Sequence, residues 1–75
     1  MSKRNALAKE IHALEEEIKL LEIKLNRSMR VVIEALVSRE QPKDEDLQFF
    51  RTFSAEIDVK REQLQKLVKE LEGKL

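Results

Sequence analysis

The sequence predicts an all-α fold: a long antiparallel helical hairpin of coiled-coil character that dimerises into a four-helix bundle. Three observations predict it. A heptad pattern is written twice, in opposite directions, around the only proline, Pro42. No glycine or proline interrupts residues 6–38. Charged residues make up 40% of the 75-residue chain and aromatics only 4%, a coiled-coil composition rather than that of a mixed globule. The apolar residues are periodic rather than scattered, which argues against disorder.

The heptad pattern sets the register. Before Pro42, Leu7, Ile11, Leu14, Ile18, Leu21, Leu25 and Val32 follow steps of four and three. After it come Leu47, Phe50, Ser54, Ile57, Arg61, Leu64, Val68, Leu71 and Leu75. Folded at the proline, Leu36 is expected opposite Leu47, Ile33 opposite Phe50, and Met29 opposite Ser54. Further down, Leu25 meets Ile57, Ile18 meets Leu64, Leu14 meets Val68, Ile11 meets Leu71, and Leu7 meets Leu75. The residue numbers of each pair sum to 82 or 83, so one antiparallel register serves both arms.

The whole chain, 1–75, reads as one domain. Helix 1 is expected over about 3–39, with Ser2 or Asn5 able to accept a hydrogen bond from a free first-turn amide. The turn is expected at about 40–43, because Pro42 donates no amide hydrogen bond and disfavours helix at Gln41. Helix 2 is expected over about 44–73. Asp44, Glu45 and Asp46 crowd its start, where acids cap free amides and complement the helix dipole. They lack the alternating spacing and the glycine of a calcium loop. Gly73 stands at the expected C-terminal cap. A short linker makes the two helices antiparallel neighbours.

One hairpin does not use all the apolar side chains. Val31, Ile33 and Val37 add to Val32 and Leu36 near the turn, and Phe49, Phe50 and Phe53 include every aromatic in the chain. Leu20 and Ile23 flank the stripe further down. A helix apolar around most of its circumference needs more than one neighbour. Leu20, Ile23, Val31, Ile33, Val37, Phe49, Phe50 and Phe53 are therefore the expected oligomer or partner interface. A second copy of the chain is the expected occupant, with a helix of another protein as the alternative. The opposite end reads as a slender two-helix arm. Within the stripe, Arg61 falls opposite Leu21, with Glu22 or Asp58 as its expected partner. A polar residue in a seam fixes alignment at some cost in stability.

Composition also bounds function. Fifteen cationic and fifteen anionic side chains cancel, whereas nucleic-acid binders carry a basic excess. There is no cysteine, hence no disulfide or thiolate metal site. No apolar run reaches the ~18–20 residues of a membrane span, and no secretory signal is read at the N-terminus. The cytoplasm is the expected location. His12, beside Glu15 and Glu16, offers too few ligands for a specific metal site. Glu15, Glu16 and Glu17 read as a solvated face, with Lys19 four residues after Glu15. No phosphate loop, cofactor site or nucleophile–base pair is expected, and the chain reads as non-enzymatic.

The expected function is that of a protein–protein interaction module: a small adaptor, regulator or chaperone acting as a helical-hairpin oligomer. The alternative is RNA or DNA binding through Lys24, Arg27, Arg30 and Lys60. In architecture that reading resembles the small plasmid copy-control hairpins, which dimerise into four-helix bundles and bind RNA on one face. A second alternative rests on Ser54-Ala55-Glu56-Ile57-Asp58. This segment resembles the Ser-Gln-x-Leu-Asp motif of the sporulation aspartyl-phosphate phosphatases, which act on phosphorylated response regulators. The resemblance implies roles for Ser54 and Asp58. Ala55 replaces the motif's glutamine, and Val59-Lys60-Arg61 replaces the apolar pair expected after the aspartate.

Overall fold

The computed structural model describes residues 2–74 and consists of two α-helices, α1 (Lys3–Val37) and α2 (Asp44–Glu72), with no strand among the described residues. They fold back on each other as a rod of 55 × 16 × 14 Å.

The start of α1 is held by Ser2, whose hydroxyl accepts a hydrogen bond from the Asn5 amide at 3.2 Å. That satisfies one of the orphan donors of the first turn. The helix ends two residues earlier than the sequence suggests. Ser38 caps it, and Arg39 then turns left-handed at φ 58°. The Glu40 amide donates to the Ala35 carbonyl at 2.8 Å, and the Arg39 amide donates to the Leu36 carbonyl at 3.1 Å. This is a Schellman closure, which occupies carbonyls that the last turn leaves free. Glycine is the usual residue at its left-handed position; here an arginine fills it. Without a glycine to mark the site, the sequence gives no sign that the helix stops there.

The start of α2 also departs from expectation. Lys43 is the N-cap residue and no side chain caps an amide. Asp44, Glu45 and Asp46 lie one, two and three positions too late for that role, inside the first turn, where they favour the positive end of the dipole. At the far end Gly73 is the C-cap, but its backbone is right-handed, φ −66°. A methyl group there would sit at an ordinary 3.5 Å from the Glu70 carbonyl.

The core is one seam. Leu7, Leu14, Ile18, Leu21 and Ile57 are buried, Ile57 most completely at 2% exposure. Half-buried positions extend the same spacing on both helices. On α1 the inward residues are Leu7, Ile11, Leu14, Ile18, Leu21, Leu25, Ser28, Val32 and Ala35. They keep strict alternating steps of four and three up to the turn. Met29, Ile33 and Leu36, expected to face α2, are instead 40–59% exposed. The reason is mechanical. Moving the inward face by one residue rotates it by about 100°, which a helix interlocked over its preceding turns does not do for three larger side chains. Among the described residues every layer then sums to 82: Ser28 is level with Ser54, Val32 with Phe50, and Ala35 with Leu47. Leu75, the expected partner of Leu7, lies outside the described residues.

Ile57→Ala is expected to cost about 2–5 kcal/mol in chemical denaturation, as for a deleted core side chain. Leu36→Ala, at an exposed site, is expected to stay within about 0.5 kcal/mol. Arg39→Gly is expected to stabilise the hairpin by about 1 kcal/mol, because glycine adopts the left-handed backbone at no steric cost. The same denaturation curves measure all three.

Candidate interaction surface

A two-helix rod has two broad flanks, one on each side of its seam, and the heptad phase assigns residues to them. On one flank, Glu17 and Lys60 meet across the helices at 2.9 Å. They line a groove with Glu10, Leu14 and Leu67. Stepping by sevens from these positions adds Lys24 and Val31 on α1, and Asp46, Phe53 and Lys74 on α2. Two further grooves agree with that assignment. Val31 and Asp46 line one at the turn, and Glu10 and Lys74 line one at the open end. On this flank Asp46, Phe53, Lys60 and Leu67 are all half-buried, so α2 is rolled slightly towards it.

The opposite flank is marked by Arg61 and Glu22, whose side chains pair at 3.2 Å. Glu22 was one of the two partners expected for Arg61. The other, Asp58, is not used. Both charged side chains stay about half exposed, so the pair fixes alignment without burying a charge. Met29 and Leu36 follow Glu22 at sevenfold spacing and share this flank. Facing them, Asp44, Arg51, Asp58, Gln65 and Glu72 are polar and exposed. The apolar surface here belongs to α1 alone.

The eight expected interface residues divide accordingly. Val31, Phe49 and Phe53 come together on the first flank near the turn, with Leu20 at its outer edge. Phe49 and Phe53 stack with ring centres 6.2 Å apart and planes 14° from parallel, and Phe49 remains 47% exposed. Phe50 is half-buried in the seam. Ile33 lies on the second flank, and Ile23 and Val37 lie on the back of α1, with Val37 78% exposed. Sequence reasoning missed Leu67, Met29 and Leu36 as surface residues. Leu67 was legible from its heptad position, seven residues from Lys60, next to the seam.

The four basic residues weighed for nucleic acid are also separated. Lys24 and Arg27 share the first flank, whereas Arg30 lies on the back of α1 in the same row as Ile23 and Val37. Lys60 is held by Glu17. Of the residues that carry the phosphatase resemblance, Ser54 is half-buried in the seam and Asp58 is exposed on the second flank. Between them, Ile57 is the most buried side chain of the hairpin. Lys19 pairs with Glu16 at 3.6 Å rather than with Glu15. His12 is exposed, and among the described residues no three His, Cys, Asp or Glu side chains are grouped to hold a metal. No described helix is long and apolar enough to cross a membrane.

No protein-family model, curated protein or solved structure matches this chain.

The arrangement defines an antiparallel two-helix hairpin with one continuous mixed flank. Glu22→Gln is expected to change stability by less than about 1 kcal/mol, because both members of its pair are half solvated. Urea denaturation measures it, and a loss above about 3 kcal/mol would mean that the pair carries the fold rather than its alignment.

Proposed function

We propose that this protein is a non-enzymatic interaction module that works as a homodimer. Two hairpins pack into a four-helix bundle, and the bundle presents a helical face to another protein as an adaptor, regulator or chaperone does. One observation carries the reading: nine large apolar side chains are 40–78% exposed on a chain whose core is a single seam. Scattered apolar residues are ordinary on a surface, but most of these crowd the half of the rod nearest the turn.

Area supports the same reading. The hairpin exposes 6190 Å². A compact monomer of 8.9 kDa exposes about 4,800 Å², so this rod carries an excess of roughly 1,400 Å². A standard interface removes about 800 Å² from each partner. Association lowers the excess without lengthening the chain or deepening its own core.

Charge makes nucleic acid the weaker alternative. The net charge is zero, and one of the four basic residues weighed for that role is already paired with a glutamate.

Sedimentation equilibrium is expected to give a dimer at about 100 μM, a concentration that detects even weak self-association. Phe49→Asp is expected to weaken the dimer at least about tenfold with helix content unchanged, since a carboxylate would be desolvated in the bundle. A wild-type monomer at that concentration sinks the homodimer. Co-purified nucleic acid whose binding falls steeply with salt would favour the basic residues instead.

A further inference from the structure

We propose that the second copy sits on the flank of Val31, Phe53, Lys60 and Leu67, in parallel, with both turns at the same end of the bundle. This rests on the self-association reading and specifies its face and orientation.

The face follows from where both helices contribute apolar atoms. On this flank α2 supplies Phe49, Phe53 and Leu67, and α1 supplies Val31, Leu20 and Ala13. A groove with Ala13, Leu14 and Leu67 in its lining runs between them along the arm. The opposite flank is polar along all of α2, so a hairpin seated there would desolvate Arg51, Asp58 and Glu72 against Met29 and Leu36. The size fits as well. A flank of 55 × 16 Å has a footprint of roughly 900 Å², close to the ~800 Å² per partner of a stable interface.

The orientation follows from the order of residues along the flank. A twofold axis parallel to the rod lays α1 of one copy over α2 of the other, at the same level. In the register that sums to 82, Val31 then lies over the space between Phe49 and Phe53. Arg27 lies over Glu56, Lys24 between Glu56 and the Glu17-paired Lys60, Ala13 between Leu67 and Glu70, and Glu10 between Glu70 and Lys74. Apolar meets apolar at the turn, small meets large in the arm, and opposite charges meet between them. Reversing the second copy over its full length stacks α2 on α2 and α1 on α1, so Phe49 and Phe53 leave Val31 and each other's copies for the 63–70 stretch of α2, where Leu67 is the one apolar side chain they meet. Reversing it and sliding it until the aromatics meet sets Glu56 against Asp46 and leaves both arms uncovered.

The chain has no cysteine, so Gln41→Cys places a single nitroxide at each turn. Gln41 is exposed in the connection between the helices. Pulsed dipolar spectroscopy on the dimer is expected to give a label separation within about 25 Å, the spacing of helices packed 8–10 Å apart plus two probe arms. A separation near the 55 Å length of the rod, in a protein that sediments as a dimer, overturns the orientation while leaving self-association intact. A labelled chain that is monomeric and shows no dipolar coupling overturns both. Independently, Glu56→Lys is expected to weaken the dimer at least about tenfold, and adding Lys24→Glu and Arg27→Glu to the same chain is expected to restore it. All three positions are exposed, so each variant keeps its helix content. Failure of the reversed charges to rescue overturns the parallel face.

Discussion

Everything in this molecule depends on keeping one seam in phase. Two helices with a single shared stripe have no third element to correct a slip. A displacement of one residue on either arm would turn the stripe away from its partner along much of the rod. The cost of that loss is what holds the eight described layers in a single register. It is also what turns Met29, Ile33 and Leu36 outward, although all three are larger and more apolar than Ser28 and Ala35. The helix behaves as a stiff body, and the layers around Ile18, Leu21 and Ile57 set its rotation.

From the seam follow the flanks, and from the flanks the distribution of apolar surface. Positions next to the stripe are half in contact with the partner helix and half free. On one side they alternate between apolar and charged residues on α2 and are charged up to Val31 on α1; on the other, α2 is polar throughout. A two-sided rod of this kind has one side suited to a further helix layer and one suited to water. The Glu17–Lys60 and Glu22–Arg61 pairs, one on each side, peg the arms against sliding. Neither is buried, so each contributes alignment more than stability.

Much of this was legible in the residues. The stripe and the antiparallel topology follow from spacing alone, because a heptad repeat reports a helix face directly, and spacing also narrowed the partner of Arg61 to Glu22 or Asp58. The turn-proximal layers were not legible. There the sequence offers Met29, Ile33 and Leu36 one step away from Ser28, Val32 and Ala35, and hydrophobicity favours the wrong set. Only continuity of phase from Leu7 onward chooses between them. The ends were obscured for a different reason. The left-handed residue is Arg39, whereas the sole glycine, Gly73, is right-handed, so the usual punctuation marks stand in the wrong places. The candidate surface was legible as a list of apolar residues but not as a place. Ile23, Ile33 and Val37 point away from the aromatic pair, and Leu67, which shares its flank, shows itself only when the heptad is stepped from Lys60.

The layer of Ser28 and Ser54 divides the seam between the two arms. Above it lie Val32, Ala35, Leu47 and Phe50; below it lie Leu25, Ile57 and the fully buried stretch. Two hydroxyls bury little apolar area, so separating the helices at this level costs less than at any aliphatic layer. Local opening in such a rod starts where the fewest apolar contacts are lost. The hairpin is thus built as two zippers in series with a weak tooth between them. In an isolated hairpin the segment nearest the turn then opens more readily than the arm, and its amides are expected to exchange with solvent ahead of those around Ile57; a second copy packed at the turn would close that gap.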